Sequence, residues 1–155
     1  VQNEDEKASS TAIRQALRAG EPEAAAAILG GPWIADGPVL KGEQNGRKFG
    51  YPTANTNLGE LIHPKYGVYA VKVRIDRTGD WMPGVANFGR TPTTGLRDPL
   101  LEAHIFDFVG DIYGRWMEVQ MLSYLRPELM FDSLDLMVVQ MGKDVIEAKR
   151  RLKAS

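Results

Sequence analysis

Val68-Tyr-Ala-Val-Lys-Val-Arg-Ile75, then Asp76-Arg-Thr-Gly-Asp80, then Trp81-Met-Pro-Gly-Val-Ala-Asn-Phe88 is the stretch that decides the fold. The first eight residues alternate and are rich in β-branched side chains, which is the pattern of a half-buried strand. Asp76–Asp80 reads as a turn, and Trp81–Phe88 as the partner strand. Downstream, Leu100–Phe108 and Arg115–Leu125 read as a second pair, joined through the tight turn Val109-Gly110-Asp111. Upstream, Trp33 opens a strand that Val39 and Leu40 end, just before a glycine-punctuated loop. Short strands with no helices between them imply an antiparallel sheet or barrel rather than βαβ units.

Both flanks are helical. Residues 1–8 read as loose polar chain, after which Ser9-Ser10-Thr11 offer an N-cap and Ile13, Ala16 and Leu17 follow at helical spacing up to Gly20. Pro22 starts a second helix that runs through Ala24–Leu29 and ends at Gly30-Gly31. The alanine-rich texture stops there, so a boundary is expected near Gly31: residues 1–30 as a helical extension and 31–155 as the main domain. At the other end, Asp132 or Ser133 can cap a helix. Its face carries Leu134, Val138, Met141, Val145, Ala148 and Leu152, spaced by threes and fours. Lys149, Arg150, Arg151 and Lys153 in its last turns suit the helix dipole and read as a solvated end.

Bulk properties narrow the functional classes. The chain has 155 residues, a formal net charge of −1 and no cysteine, so disulfides, thiolate metal sites and cysteine nucleophiles are excluded. Near-neutral charge argues against nucleic acid or an anionic membrane as a partner held by bulk electrostatics. An oligonucleotide-binding barrel is disfavoured by the same balance and by the lack of a basic, aromatic-studded strand face. With no long apolar run and an acidic, alanine-rich start, a cytoplasmic location is expected.

Chemistry concentrates in Gly42-Glu-Gln-Asn-Gly46-Arg-Lys-Phe-Gly50-Tyr-Pro-Thr-Ala-Asn55. Gly42, Gly46 and Gly50, four apart, let backbone N–H groups approach an anion, and Arg47 and Lys48 add charge. Pro52 stiffens the chain before Thr53 and Asn55. Two apart in extended backbone, those two side chains point the same way. Their hydroxyl and amide oxygens suit Mg²⁺, which takes its remaining ligands from water and phosphate. The loop is neither a Walker A motif nor a dinucleotide fingerprint. Its chemistry alone leaves both a phosphate or metal site and a plain barrel connection open.

Glu102 is the second candidate. In Leu101-Glu-Ala-His-Ile105 the apolar residues share one face, and Glu102 and His104 share the other. Glu102 is either on a solvated outer face, which the residues alone favour, or aimed into a cavity; His104 reads as its structural neighbour. Third is the segment from Tyr124 to Ser133. There Arg126 can bind an anion or a ligand carbonyl, and Phe131 can stack on a planar ring or anchor the last helix.

In this order, the segments resemble the riboflavin kinase family over roughly Gly31 to Leu152. The most specific piece is Gly46–Asn55, with its Pro-Thr-Ala-Asn tetrad. Supporting it are His63–Tyr69, Gly84–Gly89, Leu101–Phe108, Gly110–Gly114, and Leu125-Arg-Pro-Glu with Phe131-Asp-Ser-Leu134. The resemblance implies a mainly β fold, a six-stranded antiparallel Greek-key barrel with a C-terminal helix. It implies transfer of the ATP γ-phosphate to riboflavin to give FMN, with Mg²⁺ as cofactor. Thr53 and Asn55 would hold the metal and phosphates, and Glu102 would be the general base beside the flavin. ATP would lie under Gly42, Gly46, Arg47, Lys48, Phe49, Gly50 and Pro52 together with Thr53 and Asn55, and the flavin beside Arg126 and Phe131. Ser9-Ser-Thr-Ala-Ile-Arg14 is similar to the closing signature of the FMN adenylyltransferase module of bifunctional FAD synthetases. That similarity implies a chain cut just inside a covalently linked module, with adenylyltransferase activity only in the longer protein. Tyr51, often Phe, and Arg90-Thr-Pro-Thr93 depart from the commonest family pattern. The alternative is a flavin- or nucleotide-binding barrel without catalysis.

Overall fold

A computed structural model of the chain describes residues 4–40, 53–59, 61–90, 99–108, 110 and 112–154. Helices α1 (Glu4–Arg18) and α2 (Pro22–Leu29) precede strands β1 (Trp33–Pro38), β2 (Ala54–Asn57), β3 (Gly67–Ile75), β4 (Thr78–Gly89), β5 (Leu100–Ile105) and β6 (Trp116–Arg126), and helix α3 (Leu134–Ala154) follows. The strand order is β1-β6-β3-β4-β5-β2, with every pairing antiparallel. The open edges meet where the Leu40 N–H donates to the Asn55 carbonyl at 2.6 Å. The result is a nearly closed barrel. Strands β3, β4 and β5 run as a meander and β6 returns beside β3, which is the Greek-key arrangement that the family resemblance implied.

The decisive hairpin forms with a shorter turn than Asp76–Asp80. Asp76 and Arg77 both have positive φ, 53° and 57°, the signature of a two-residue type I′ turn whose twist matches the strands. Thr78 to Asp80 therefore belong to β4. Asp76 offsets its unfavourable backbone by accepting from the Trp116 N–H at 3.1 Å and from Arg115 Nε at 2.7 Å.

The second expected pair does not exist. Strand β5 ends at Ile105 and pairs with β4 and β2, whereas β6 pairs with β3 and β1. The segment between them crosses the end of the barrel instead of turning back, because β4 and β2 already occupy both edges of β5. The start of α1 is also corrected. The helix runs from Glu4, so Ser9, Ser10 and Thr11 lie inside it and cap nothing. Glutamate and lysine are good helix formers, and acidic side chains suit a first turn. Helix α2 starts at Pro22 as expected and ends on Gly30 in the left-handed conformation. At α3 the cap is Ser133, whose Oγ accepts from the Leu136 N–H at 3.2 Å.

Alternation along β3 sends Tyr69, Val71, Val73 and Ile75 into the barrel, where Phe88, Leu101, Met117, Val119 and Met121 meet them. Leu17, Ala16 and Ala25 of the two N-terminal helices are buried in that same cluster. The Lys65 N–H also donates to the Leu17 carbonyl at 2.9 Å. The helical extension thus docks on the barrel. Ala70 points outward and packs with Phe106 and Ala148, joined by Val85, Val145 and Leu152. Helix α3 therefore lies across the outside of the sheet, although Leu134, expected on its buried face, is 57% exposed.

Candidate functional site

Antiparallel register fixes the site. Asn55 of β2 lies directly opposite Glu102 of β5, and Glu102 lies opposite Asn87 of β4. Asn87 in turn faces Val68 of β3, and Val68 faces Arg126 of β6. Residues opposite one another across antiparallel strands project to the same side, so one transverse row crosses five strands. Leu101 and Ala103 take the barrel interior, which leaves Glu102 and His104 on the outer face.

That outer face is covered. Helix α3 and the segment Pro127–Ser133 flank it and shape a half-open cavity of about 700 Å³, lined among others by Thr53, Glu102, Arg126 and Phe131. Four of the residues singled out in the sequence thus meet in one space. Glu102 is half-buried and points into this cavity, neither solvated, as the residues alone favoured, nor inside the barrel. Thr53 is half-buried at the cavity edge. Asn55 is 3% exposed, and its Oδ1 has no hydrogen-bond partner among the described residues. A buried amide oxygen without a donor is costly, and an ion or donor-bearing ligand would satisfy it. Neutral oxygens from Thr53 and Asn55 fit Mg²⁺. Gly42, Gly46, Arg47, Lys48, Phe49, Gly50 and Pro52 lie outside the described residues.

Arg126 is already committed. Its Nε and Nη2 donate to Asp144 of α3 at 2.8 and 2.7 Å, and Nη1 donates to the Pro127 carbonyl at 2.9 Å. Asp144 is buried and also accepts from Gln140 at 3.0 Å. The guanidinium is therefore a tie between β6 and α3, and its charge is balanced where it meets the cavity. Phe131 is half-buried in the cavity wall. Lys149 stands over the Phe106 ring at 5.2 Å, while Arg151 donates to Ser123 Oγ and the Tyr124 carbonyl at 2.8 and 3.1 Å. The cationic end of α3 is thus partly structural rather than wholly solvated.

Two cavity residues escaped the sequence reading. Asn87 Nδ2 donates to Glu128 Oε1 at 3.3 Å, which links the row of β-strand side chains to the covering segment. Partial burial holds the Glu128 carboxyl above the usual carboxylate range, against the opposing effects of the Asn87 hydrogen bond and the Arg126 charge. Asn87 was legible only as an outward position in the Gly84–Gly89 strand. Glu128 stood in the Leu125-Arg-Pro-Glu motif, but nothing beside it in the sequence singled out its carboxylate.

Residues 29–152 match the protein-family model described as Flavokinase: Riboflavin kinase. The bifunctional riboflavin kinase/FMN adenylyltransferase of Haemophilus influenzae is 44% identical over 144 residues, 93% of this chain and 46% of its own length. The Escherichia coli K12 protein of the same name is 41% identical over 142 residues, 91% of this chain and 45% of its own. Among solved structures, a macrolide-efflux protein from Streptococcus pneumoniae matches with TM-score 0.78 and 39% identity, over 93% of this chain and 47% of that one. Riboflavin kinase from Trypanosoma brucei, 22% identical, shares the fold with TM-score 0.57 over 79% of this chain and 80% of that one. The chain spans about half the length of the curated relatives it matches.

Proposed function

The chain belongs to the riboflavin kinase family, and from that premise we propose that it transfers the γ-phosphate of ATP to the ribityl 5′-hydroxyl of riboflavin, giving FMN. The observation that supports this most is the convergence of Thr53 and Glu102 on one cavity, with Asn55 locked opposite Glu102 by register. Phosphoryl transfer asks a protein mainly for positioning and charge neutralisation. Glu102 accepts the proton of the attacking hydroxyl, and the cavity wall of Phe131 and Val68 shelters an apolar ring. Thr53 and Asn55 are the residues that would hold Mg²⁺, which when bound supplies neutralisation of phosphate charge.

The helical segment 1–30 fits the closing part of an adenylyltransferase module, and we assign the longer bifunctional role to a protein that contains the rest. No helix among the described residues is long and apolar enough to cross a membrane, and we assign the proposed activity to the cytoplasm. The test is direct: incubate the chain with riboflavin, ATP and Mg²⁺ and separate the flavins by chromatography. FMN formed in proportion to enzyme is expected. Tight flavin or nucleotide binding without FMN would replace the kinase with a binding module.

A further inference from the structure

Gly37 sits on the inward face of β1, in series with the buried Trp33, Ala35 and Val39. Its φ is not positive, so no turn geometry calls for glycine there. Space does. A Cβ at Gly37 would come closer than 3.0 Å to Thr56 Oγ1 of β2, on the far side of the barrel seam, whereas Asn57 O at 3.4 Å and Thr56 Cβ at 3.7 Å would tolerate it. Thr56 is fully buried, and its hydroxyl has no hydrogen-bond partner among the described residues. A β-branched side chain is stiff about χ1, and buried neighbours leave its two heavy branches little room to rotate. The contact would therefore push the β2 backbone. The residue next along that backbone is Asn55, whose carbonyl is held across the same seam by the Leu40 N–H.

We infer that Gly37 is a positioning residue: by leaving room for Thr56 it lets β1 close on β2, and so sets where Thr53 and Asn55 stand in the site. The functional half of this rests on the kinase reading above; the steric half does not.

A cycle of Gly37→Ala, Thr56→Ala and the double variant tests it, with Mn²⁺·ADP as the binding probe read by electron paramagnetic resonance, alongside FMN formation and thermal melts. Gly37→Ala is expected to weaken Mn²⁺·ADP binding about tenfold and to lower the melting temperature. Thr56→Ala alone should bind within about twofold of the parent, since its hydroxyl makes no hydrogen bond among the described residues. The double variant, relieved of the clash, should recover to within about threefold. Should Gly37→Ala fail to fold, the double variant still decides: its folding and binding support the steric coupling, and its failure overturns it. Unchanged binding in a folded Gly37→Ala, or a double variant as weak as the single, also overturns the inference. A parent chain that neither binds Mn²⁺·ADP nor makes FMN overturns the kinase reading and the positioning role together. That case is recognised by melts that still show Thr56→Ala rescuing Gly37→Ala.

Discussion

Asn55 and Glu102 stand directly opposite each other in the β2–β5 ladder. Their separation is therefore set by strand pairing, which a loop movement cannot alter, and a one-residue slip of β2 would turn Asn55 to the barrel interior and away from Glu102. The amide oxygen proposed to hold the metal and the proposed base are thus placed by the same register.

Replacing Glu102 with Gln keeps the shape and removes the proton acceptor. Turnover is expected to fall by at least about 10²-fold with both substrates still bound. Riboflavin fluorescence titrations and initial rates measure the two separately, and near-normal turnover removes Glu102 from the mechanism.

Thr53→Ala and Asn55→Ala should each raise the Mg²⁺ and ATP concentrations needed for half-maximal rate while leaving riboflavin binding intact. Nucleotide titrations and rates that match the parent in both variants would refute a metal site at these residues.

Asp144→Ala strands a guanidinium that is 18% exposed, together with its two short hydrogen bonds. Removing one partner of a buried pair typically costs about 3 kcal/mol, and urea unfolding would show it as a lowered midpoint. A shift near zero would mean that Arg126 finds water or another acceptor, and that α3 is seated by apolar packing alone.

Glu128 sets a pH dependence. Its folded pKa is raised, burial being the largest cause, so the native state favours the protonated carboxyl. The associated stability is complete at low pH and lost as pH rises from the ordinary carboxylate range through the elevated folded value. Glu128→Gln keeps a neutral side chain at every pH. Its stability relative to the parent should grow over that window and level off above it, and melts from pH 4 to pH 8 would show this. A constant gap would mean that Glu128 ionises as freely as in the unfolded chain.

Leu17 is 1% exposed within the barrel's own core cluster. Leu17→Ala should cost about 2–4 kcal/mol and lower the helical and tryptophan-fluorescence transitions together. If the helical signal is lost alone, the extension is an independent appendage.

Alternation in Val68–Ile75 and the three-and-four spacing in Val138–Leu152 are local patterns, and both were legible within a single element, although Val68–Val71 is buried on both faces once α3 packs outside β3. The partners of β5 were not. Val109-Gly110-Asp111 looks like a hairpin turn, but pairing is decided by which sheet edges are free, and that depends on β2 and β4. Likewise the Leu101–Ile105 alternation put Glu102 opposite the core, but only the position of α3, some 40 residues later in the chain, turns that face into a cavity. The loop signature singled out Thr53 and Asn55 as candidates through residue chemistry. It said nothing of Gly37, whose importance lies in a neighbour absent from its own sequence window.

Strand β2 has four residues, and on its β1 side one bridge among the described residues, Leu40 to Asn55, joins it to the rest. Short, sparsely bonded strands are the parts of a protein that breathe first, so amide exchange at Leu40 should outpace exchange at Val71, deep in the nine-residue β3. The residues proposed to hold phosphate thus ride on a sparsely bonded join of the barrel. Under the proposed kinase function, nucleotide would be admitted and discharged by local fluctuation there, with the longer strands left intact.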